Sequence, residues 1–160
     1  MKKSEYQSYL KVFTKDENNI LHPYKDHLGN WTIGIGHLIG GNLENFRITD
    51  RISKLLFRKD LLEALDDAHF IFGKEFFEGL AVGRKAAILT LCFGLGRAKL
   101  LTFHHTVPAI KNEDWEAASN YILSTKWAVD VDPKKRHGIG RDDRVAYMLR
   151  TGLLHPEYLN

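Results

Sequence analysis

"DENNILHPYKDHLGNWTIGIGH", residues 16–37, decides the N-terminal architecture, because a helical pattern stops at its first residues and a turn-rich, strand-prone pattern replaces it. Upstream, Tyr6, Tyr9, Leu10 and Phe13 recur at helical spacing, so an amphipathic first helix is predicted from about Ser4 to Lys15. Asn18 and Asn19 follow as candidates for a left-handed closing residue, since asparagine is the residue most tolerant of that conformation after glycine. From about Ile20 to Ile39, Pro23, Gly29, Asn30, Gly34 and Gly36 punctuate β-branched and aromatic residues. That pattern predicts a small sheet of short antiparallel strands joined by turns.

Working outward, Thr49 stands as an N-cap before DRISKLLFRKDLLEALDDAHFIF, where Ile52, Leu55, Leu56, Leu62 and Leu65 are read as one apolar side of a long helix. Beyond Gly73 and Gly79 the text is helical again in RKAAILTLCF, HTVPAI, DWEAASNYILSTKW and RDDRVAYMLRT, with breaks expected at Gly94, Gly96, Pro108 and Pro133. No internal repeat or low-complexity tract interrupts it. The fold class is therefore α+β and mostly helical, with a small sheet near the N-terminus and a larger helical part behind it.

With 160 residues the chain is large enough for one domain to bury a core unaided. A hydrophobic fraction of 44% beside 27% charged residues fits a soluble domain. No segment reaches the roughly 18 consecutive apolar residues of a membrane span, and MKKSEYQSYLKVF lacks the apolar core of a secretion signal. The single cysteine, Cys92, excludes an internal disulfide and sits in the apolar run AAILTLCFGL as small core filler. The formal charge of +3 is too weak to declare a nucleic-acid binder. Lys134, Lys135, Arg136, Arg141, Arg144 and Arg150 cluster against only Asp142 and Asp143, which reads first as a solvated helix face or basic loop.

If residues 31–38 form one strand, Thr32, Gly34, Gly36 and Leu38 share a face opposite Trp31, Ile33, Ile35 and His37. The glycine-bearing face is then either a shallow floor for a bulky substrate or a pair of bulges in a twisted sheet. Glu17 falls where the first helix stops, and the negative end of the macrodipole there favours a protonated carboxyl, as a general acid requires. Asp26 lies nine residues later at a turn, and a returning hairpin can bring it across from Glu17 with Thr32 beside it. One neutral and one ionised carboxyl are the minimum equipment for breaking a glycosidic bond.

Glu17, Asp26, Thr32, Ile33, Gly34, Gly36 and His37, in the pattern E-x8-D-x5-T-I-G-x-G-H, resemble the catalytic signature of the T-even phage lysozymes, glycoside hydrolase family twenty-four. ITDRISKLLFRKDL is similar to that family's interlobe helix, RKAAILTLCFGLG to its buried central helix, and DWEAASNYILSTKW and RDDRVAYMLRTG to its closing helices. The resemblance implies a single two-lobed lysozyme domain over residues 1–160. Its sheet lobe would span about 14–49, its interlobe helix about 50–72 and its helical lobe about 73–160, with the first helix packed on the helical lobe. It implies a muramidase acting on peptidoglycan between N-acetylmuramic acid and N-acetylglucosamine by inversion, with Glu17 as general acid and Asp26 and Thr32 holding the attacking water. Leu38, Phe93 and Thr106 match positions that touch the glycan, whereas Tyr121 replaces a commonly smaller polar residue. Glu17 with Arg141, Asp16 with Arg144 and His37 with Asp60 match paired positions. An arginine beside Glu17 favours its ionised form, in opposition to the helix end.

Asn18 departs from the family's glycine, and the segment 128–140 is longer and more basic than its usual counterpart. The implied setting is an endolysin made in the host cytoplasm that reaches the wall after the inner membrane opens, as a monomer with no cofactor, no metal and no integral membrane association. A wall-binding module could dispense with Glu17, and a lytic transglycosylase needs water displaced at Asp26, which retention of Thr32 disfavours. PKKRHGIGR supports a nucleic-acid reading only weakly, since no base-reading motif accompanies it. His22, His27 and His37, and the adjacent His104 and His105, lack the spacing of a zinc hydrolase helix.

Overall fold

The computed structural model describes residues 1–26, 28–41, 43, 45–131 and 139–159. His27, Pro133 and the basic residues Lys134, Lys135, Arg136 and His137 lie outside the described residues. The fold is α+β and mostly helical, with a three-stranded antiparallel sheet near the N-terminus. Met1–Glu63 and Ala64–Asn160 each form a compact unit, and the boundary falls inside one long helix. Among the described residues no helix is long and apolar enough to cross a membrane.

In the first unit, α1 (Lys3–Glu17) buries Tyr9, Val12 and Phe13, the stripe that its spacing announces. The helix stops at Glu17 because Asn18 turns to φ 61°, but its ψ of −178° is extended rather than left-handed helical, so Asn18 does not close the helix in the expected way. The sheet follows in the order β1 (Ile20–Lys25), β2 (Trp31–Gly34), β3 (His37–Leu38). Pro23 is tolerated because β1 is an edge strand and its pairing to β2 is irregular between Ile20 and Tyr24.

The single strand expected over residues 31–38 is instead a tight hairpin. Gly34 and Gly36 adopt φ of 66° and 70°, values that side-chain-bearing residues rarely reach, and the chain reverses between β2 and β3. Thr32 consequently pairs with Leu38 and Ile33 with His37, so these partners still share faces, but across strands rather than along one. The glycines do not leave a bare floor either. A Cβ on Gly34 would lie 2.6 Å from Ser53 Oγ and 3.3 Å from Ser53 Cβ.

Ser53 belongs to α2 (Asp50–Phe72), which begins where Thr49 predicts: the Thr49 Oγ1 accepts from Ile52 N at 3.3 Å, and its carbonyl accepts from Ser53 N at 2.9 Å. The buried face differs from the expected one. Ile52, Leu55 and Leu62 are 44%, 57% and 43% exposed, while Ser53, Phe57, Leu61, Ala64 and Ala68 are buried. The Phe57 ring meets Phe13 at a centroid distance of 5.3 Å and Tyr6 at 6.1 Å, joining α1 to α2. A polar chain completes the contact: Ser53 Oγ donates to Asn19 Oδ1 at 2.6 Å, and Asn19 Nδ2 donates to Asp50 Oδ1 at 2.9 Å. The Lys54 ammonium, 2.7 Å from the other Asp50 oxygen, holds that carboxyl below its ordinary value.

The second unit contains α3 (Lys74–Gly79), α4 (Val82–Leu101), α5 (Thr106–Lys111), α6 (Trp115–Leu123), α7 (Lys126–Val131) and α8 (Arg141–Thr151). The helix α4 is its core: Lys85 through Cys92 are buried without interruption, so it has no solvent stripe. It continues through Gly94, contrary to the expected break, and is interrupted only at Gly96, where φ is 69° and ψ 164°. Pro108 does not break α5 because it sits in the first turn, where a missing N–H costs no intrahelical bond. DWEAASNYILSTKW is two helices, since Thr125 Oγ1 accepts from Ala128 N at 3.3 Å and starts α7 anew. Arg84 ties α4 to α8, with Nε donating to Leu149 O at 3.0 Å and its guanidinium 4.1 Å above the Trp115 ring. Cys92 is 2% exposed, and burial pushes its thiol up to about 12.

Lys85 is a buried cation whose Nζ lies 3.3 Å from Glu78 Oε2, and the other Glu78 oxygen lies 3.1 Å from His69 Nε2. Partial burial raises the Glu78 pKa, but the hydrogen bonds from Lys85 and His69 outweigh it, so the carboxyl titrates below its ordinary value. The stabilisation is therefore full above the ordinary glutamate value and is lost as pH falls through the folded one. Glu78→Gln is expected to cost about 1–2 kcal/mol near neutral pH, a range reduced because water screens the half-exposed carboxylate. Urea denaturation of both proteins should show the gap closing below about pH 4.3; a gap independent of pH would contradict the pairing. Gly34→Ala is expected to cost about 1–3 kcal/mol through the Ser53 clash and the positive φ, read as a fall in the urea midpoint.

Candidate active site

The three residues expected to carry the chemistry all fall in the first compact unit, each placed by a different local device. Glu17 is the last residue of α1 and is half-buried. Asp26 follows the final residue of β1 and opens the loop to β2. Thr32 is the second residue of β2, 2% exposed and paired with Tyr24 on one side and Leu38 on the other. Residues directly opposite one another in a sheet share a face, so Tyr24, Thr32 and Leu38 form a row across all three strands.

The loop is built by the Asp26 carboxylate itself. Its Oδ1 accepts from Leu28 N at 2.9 Å and from Asn30 N at 2.8 Å, while Oδ2 accepts from Asn30 Nδ2 at 3.2 Å. Asp26 N donates to Asn30 O at 3.0 Å, and Gly29, at φ 86°, makes the reversal between them. The same Asn30 carbonyl accepts from Thr32 Oγ1 at 3.2 Å. Asn30 thus touches both Asp26 and Thr32 and couples their positions. In the sequence Asn30 reads only as a turn residue; the recognisable signal is Asp26, whose side chain closes on the backbone N–H two residues on.

His37 and Asp60 are joined: His37 Nδ1 lies 2.7 Å from Asp60 Oδ2, linking β3 to the middle of α2, and Lys59 Nζ lies 3.6 Å from the other Asp60 oxygen. Leu38 is 61% exposed, so its side chain is available on the surface of the sheet.

The remaining candidates belong to the second unit. Phe93 is half-buried on α4. Thr106 starts α5, 2% exposed, and lines a pocket of about 380 Å³ with Phe103, His105, Tyr121 and Trp127. Tyr121 is 41% exposed and its ring lies 5.3 Å from that of His105. Arg141 opens α8, one turn ahead of Arg144. Within this unit Arg144 is held by three groups, donating to Tyr158 Oη at 2.9 Å, to Ile139 O at 2.8 Å and to Glu157 Oε2 at 3.0 Å. No sequence signal announces that anchorage to the C-terminal turn; the family resemblance pairs Arg144 with Asp16.

The phage lysozyme family model matches residues 14–141, a span that takes in the end of α1, the sheet, α2 and the helices up to the first residue of α8. Two relatives from Dictyostelium discoideum, named Probable T4-type lysozyme 2 and Probable T4-type lysozyme 1, are each 27% identical to the chain. The first similarity covers 92% of this chain and 96% of the relative, and the second 88% and 92%. The chain therefore belongs to the phage lysozyme family and is a lysozyme-type glycoside hydrolase.

Proposed function

We propose that this protein is a muramidase that hydrolyses the β-1,4 bond between N-acetylmuramic acid and N-acetylglucosamine in peptidoglycan with inversion at the anomeric carbon. Glu17 protonates the leaving oxygen. Asp26 and Thr32 hold the attacking water, and Leu38, Phe93 and Thr106 contact the glycan. The observation that carries this reading is the shared attachment of Asp26 and Thr32 to Asn30, which sets a carboxylate and a hydroxyl in fixed relation within the unit that also contains Glu17. An ionised carboxylate has about four acceptor directions. Asp26 spends three on Leu28 and Asn30, which leaves Oδ2 able to accept from a water.

Membership of the phage lysozyme family supports peptidoglycan as the substrate. The proposed setting is late phage infection: the monomeric enzyme is made in the host cytoplasm, reaches the wall once the inner membrane is opened, and causes lysis. Inversion requires the two carboxyl groups to stand roughly 6.5 to 9.5 Å apart so that water fits between Asp26 and the sugar.

Glu17→Gln is expected to lower the rate by about 10² to 10⁴, measured as turbidity loss of chloroform-treated Gram-negative cells, with circular dichroism unchanged. Clearing equal to wild type would remove Glu17 from its assigned role. Released reducing muramic ends would mark hydrolysis, and anhydro sugars would mark transglycosylation. At Asp26 the turn and the chemistry can be separated. Asp26→Ala removes the acceptor for two backbone N–H groups and is expected to cost about 1–3 kcal/mol in urea denaturation. Asp26→Asn keeps one oxygen for them and should stay within about 1 kcal/mol of wild type while clearing is lost. Full clearing by Asp26→Asn would refute the water-holding assignment.

A further inference from the structure

Packing α1 beside the start of α2 brings together cations that are some fifty residues apart in the chain. Lys2, Lys3, Arg51, Lys54 and Arg58 line one groove of about 550 Å³ in the first unit. Five cations stand there against a single carboxylate, that of Asp50, which Lys54 and Asn19 already engage at 2.7 and 2.9 Å. Among the described residues no acid forms an ion pair with Lys2, Lys3, Arg51 or Arg58, and all four are exposed.

The arrangement works against the stability of α2. Arg51 and Lys54, and Lys54 and Arg58, are like-charged neighbours at i, i+3 and i, i+4. Arg51 also sits in the first turn, next to the positive end of the macrodipole. A bound anion would relieve all of these repulsions at once. The groove is not uniformly polar, however. Leu55, between Arg51 and Arg58 on the same helical face, is 57% exposed, and Met1 is 47% exposed. Ile52, three residues before Leu55, adds a further exposed aliphatic side chain at 44%.

We propose that this groove docks the anionic phospholipid headgroups of a membrane surface, with the phosphates on Arg51, Arg58, Lys2 and Lys3 and the aliphatic side chains at the hydrocarbon boundary. A soluble polyanion would match the charge but leave Leu55 and Met1 in water. A nucleic acid would also find no free aromatic face for its bases, since Tyr6 is half-buried and its hydroxyl donates to Lys54 O at 3.4 Å. Cations on a face that also carries aliphatic residues are the composition of a peripheral, interface-lying surface. The binding involves no turnover and stands apart from the glycan chemistry.

The test is co-sedimentation of the full chain with phosphatidylcholine vesicles, with and without phosphatidylglycerol. Wild type is expected to sediment with the anionic vesicles and not with phosphatidylcholine alone. Arg51→Gln with Arg58→Gln should weaken binding about thirty-fold, the product of two surface cations. Lys2→Gln with Lys3→Gln, at exposed positions that cannot disturb the core, should weaken it comparably. Leu55→Gln should also reduce vesicle binding, and neither inorganic phosphate nor duplex DNA should displace the protein from vesicles at matched phosphate concentration. Equal binding to neutral vesicles would overturn the proposal, as would wild-type binding by both charge variants. Unchanged vesicle binding by Leu55→Gln together with efficient displacement by DNA would make the groove a polyanion site instead.

Discussion

Two backbone N–H groups, those of Leu28 and Asn30, donate to one carboxylate oxygen of Asp26, and the geometry of the sheet follows from that contact. It closes the loop between β1 and β2 at a definite length, which sets Lys25 opposite Trp31 and Tyr24 opposite Thr32. A slip of one residue would turn Thr32 and Ile33, 2% and 1% exposed, each to the opposite face and exchange a hydroxyl for an aliphatic side chain in both environments. The Asn30 carbonyl then fixes the Thr32 hydroxyl. The same side chain thus selects the register of a strand and anchors the group proposed to work beside it. Charge-assisted hydrogen bonds to backbone amides are among the stronger ones available, so a carboxylate suits both duties better than a neutral amide would.

What was legible in the sequence depended on how local its cause is. The start of α2 could be read because an N-cap is a contact over three residues, and Thr49 makes it where expected. The buried face of α2 could not. Ile52, Leu55 and Leu62 carry more apolar weight than Ser53, Ala64 and Ala68, so a hydrophobicity pattern favours the first set. The structure buries Ser53, Ala64 and Ala68 beside Phe57 and Leu61, and at Ser53 the small side chain permits close approach: a Cβ on Gly34 would lie 2.6 Å from its Oγ, which hydrogen-bonds Asn19. Gly34 and Gly36 were visible as breaks in a strand, but their turn depends on positive φ at both positions, which composition does not reveal. Pro108 shows the converse. A residue that breaks a helix interior is harmless in a first turn, and its effect depends on a boundary set elsewhere, at Thr106.

The candidate site was legible to a similar extent. The residue pattern from Glu17 to His37 names the groups proposed to act, whereas the part of Asn30 lies in a backbone carbonyl and an amide, which carry no titratable chemistry to mark them in the sequence. Positive charge followed the same rule. The basic segment near the C-terminus is conspicuous because its residues are contiguous, whereas Lys2, Lys3, Arg51 and Arg58 become one surface only when α1 lies along α2 through Phe13 and Phe57.

The exit from α1 is governed by a strained residue. Asn18, at φ 61° and ψ −178°, occupies backbone space that is almost reserved for glycine and costs a side-chain-bearing residue about 1–3 kcal/mol. Such a conformation persists only where the surroundings over-determine it, and here they do. Asn19 is tied to Ser53 and to Asp50, and Ile20 is paired with Gly34 at the end of β2. The chain must therefore leave the helix in one direction, and relaxation of Asn18 toward a helical value would pull Asn19 from both partners. A further turn of helix is blocked at the same point, which leaves Glu17 as the last helical residue. The position of the proposed acid is in this way set by contacts that its own side chain does not make: the anchoring of Asn19 on α2 and the pairing of Ile20 in the sheet.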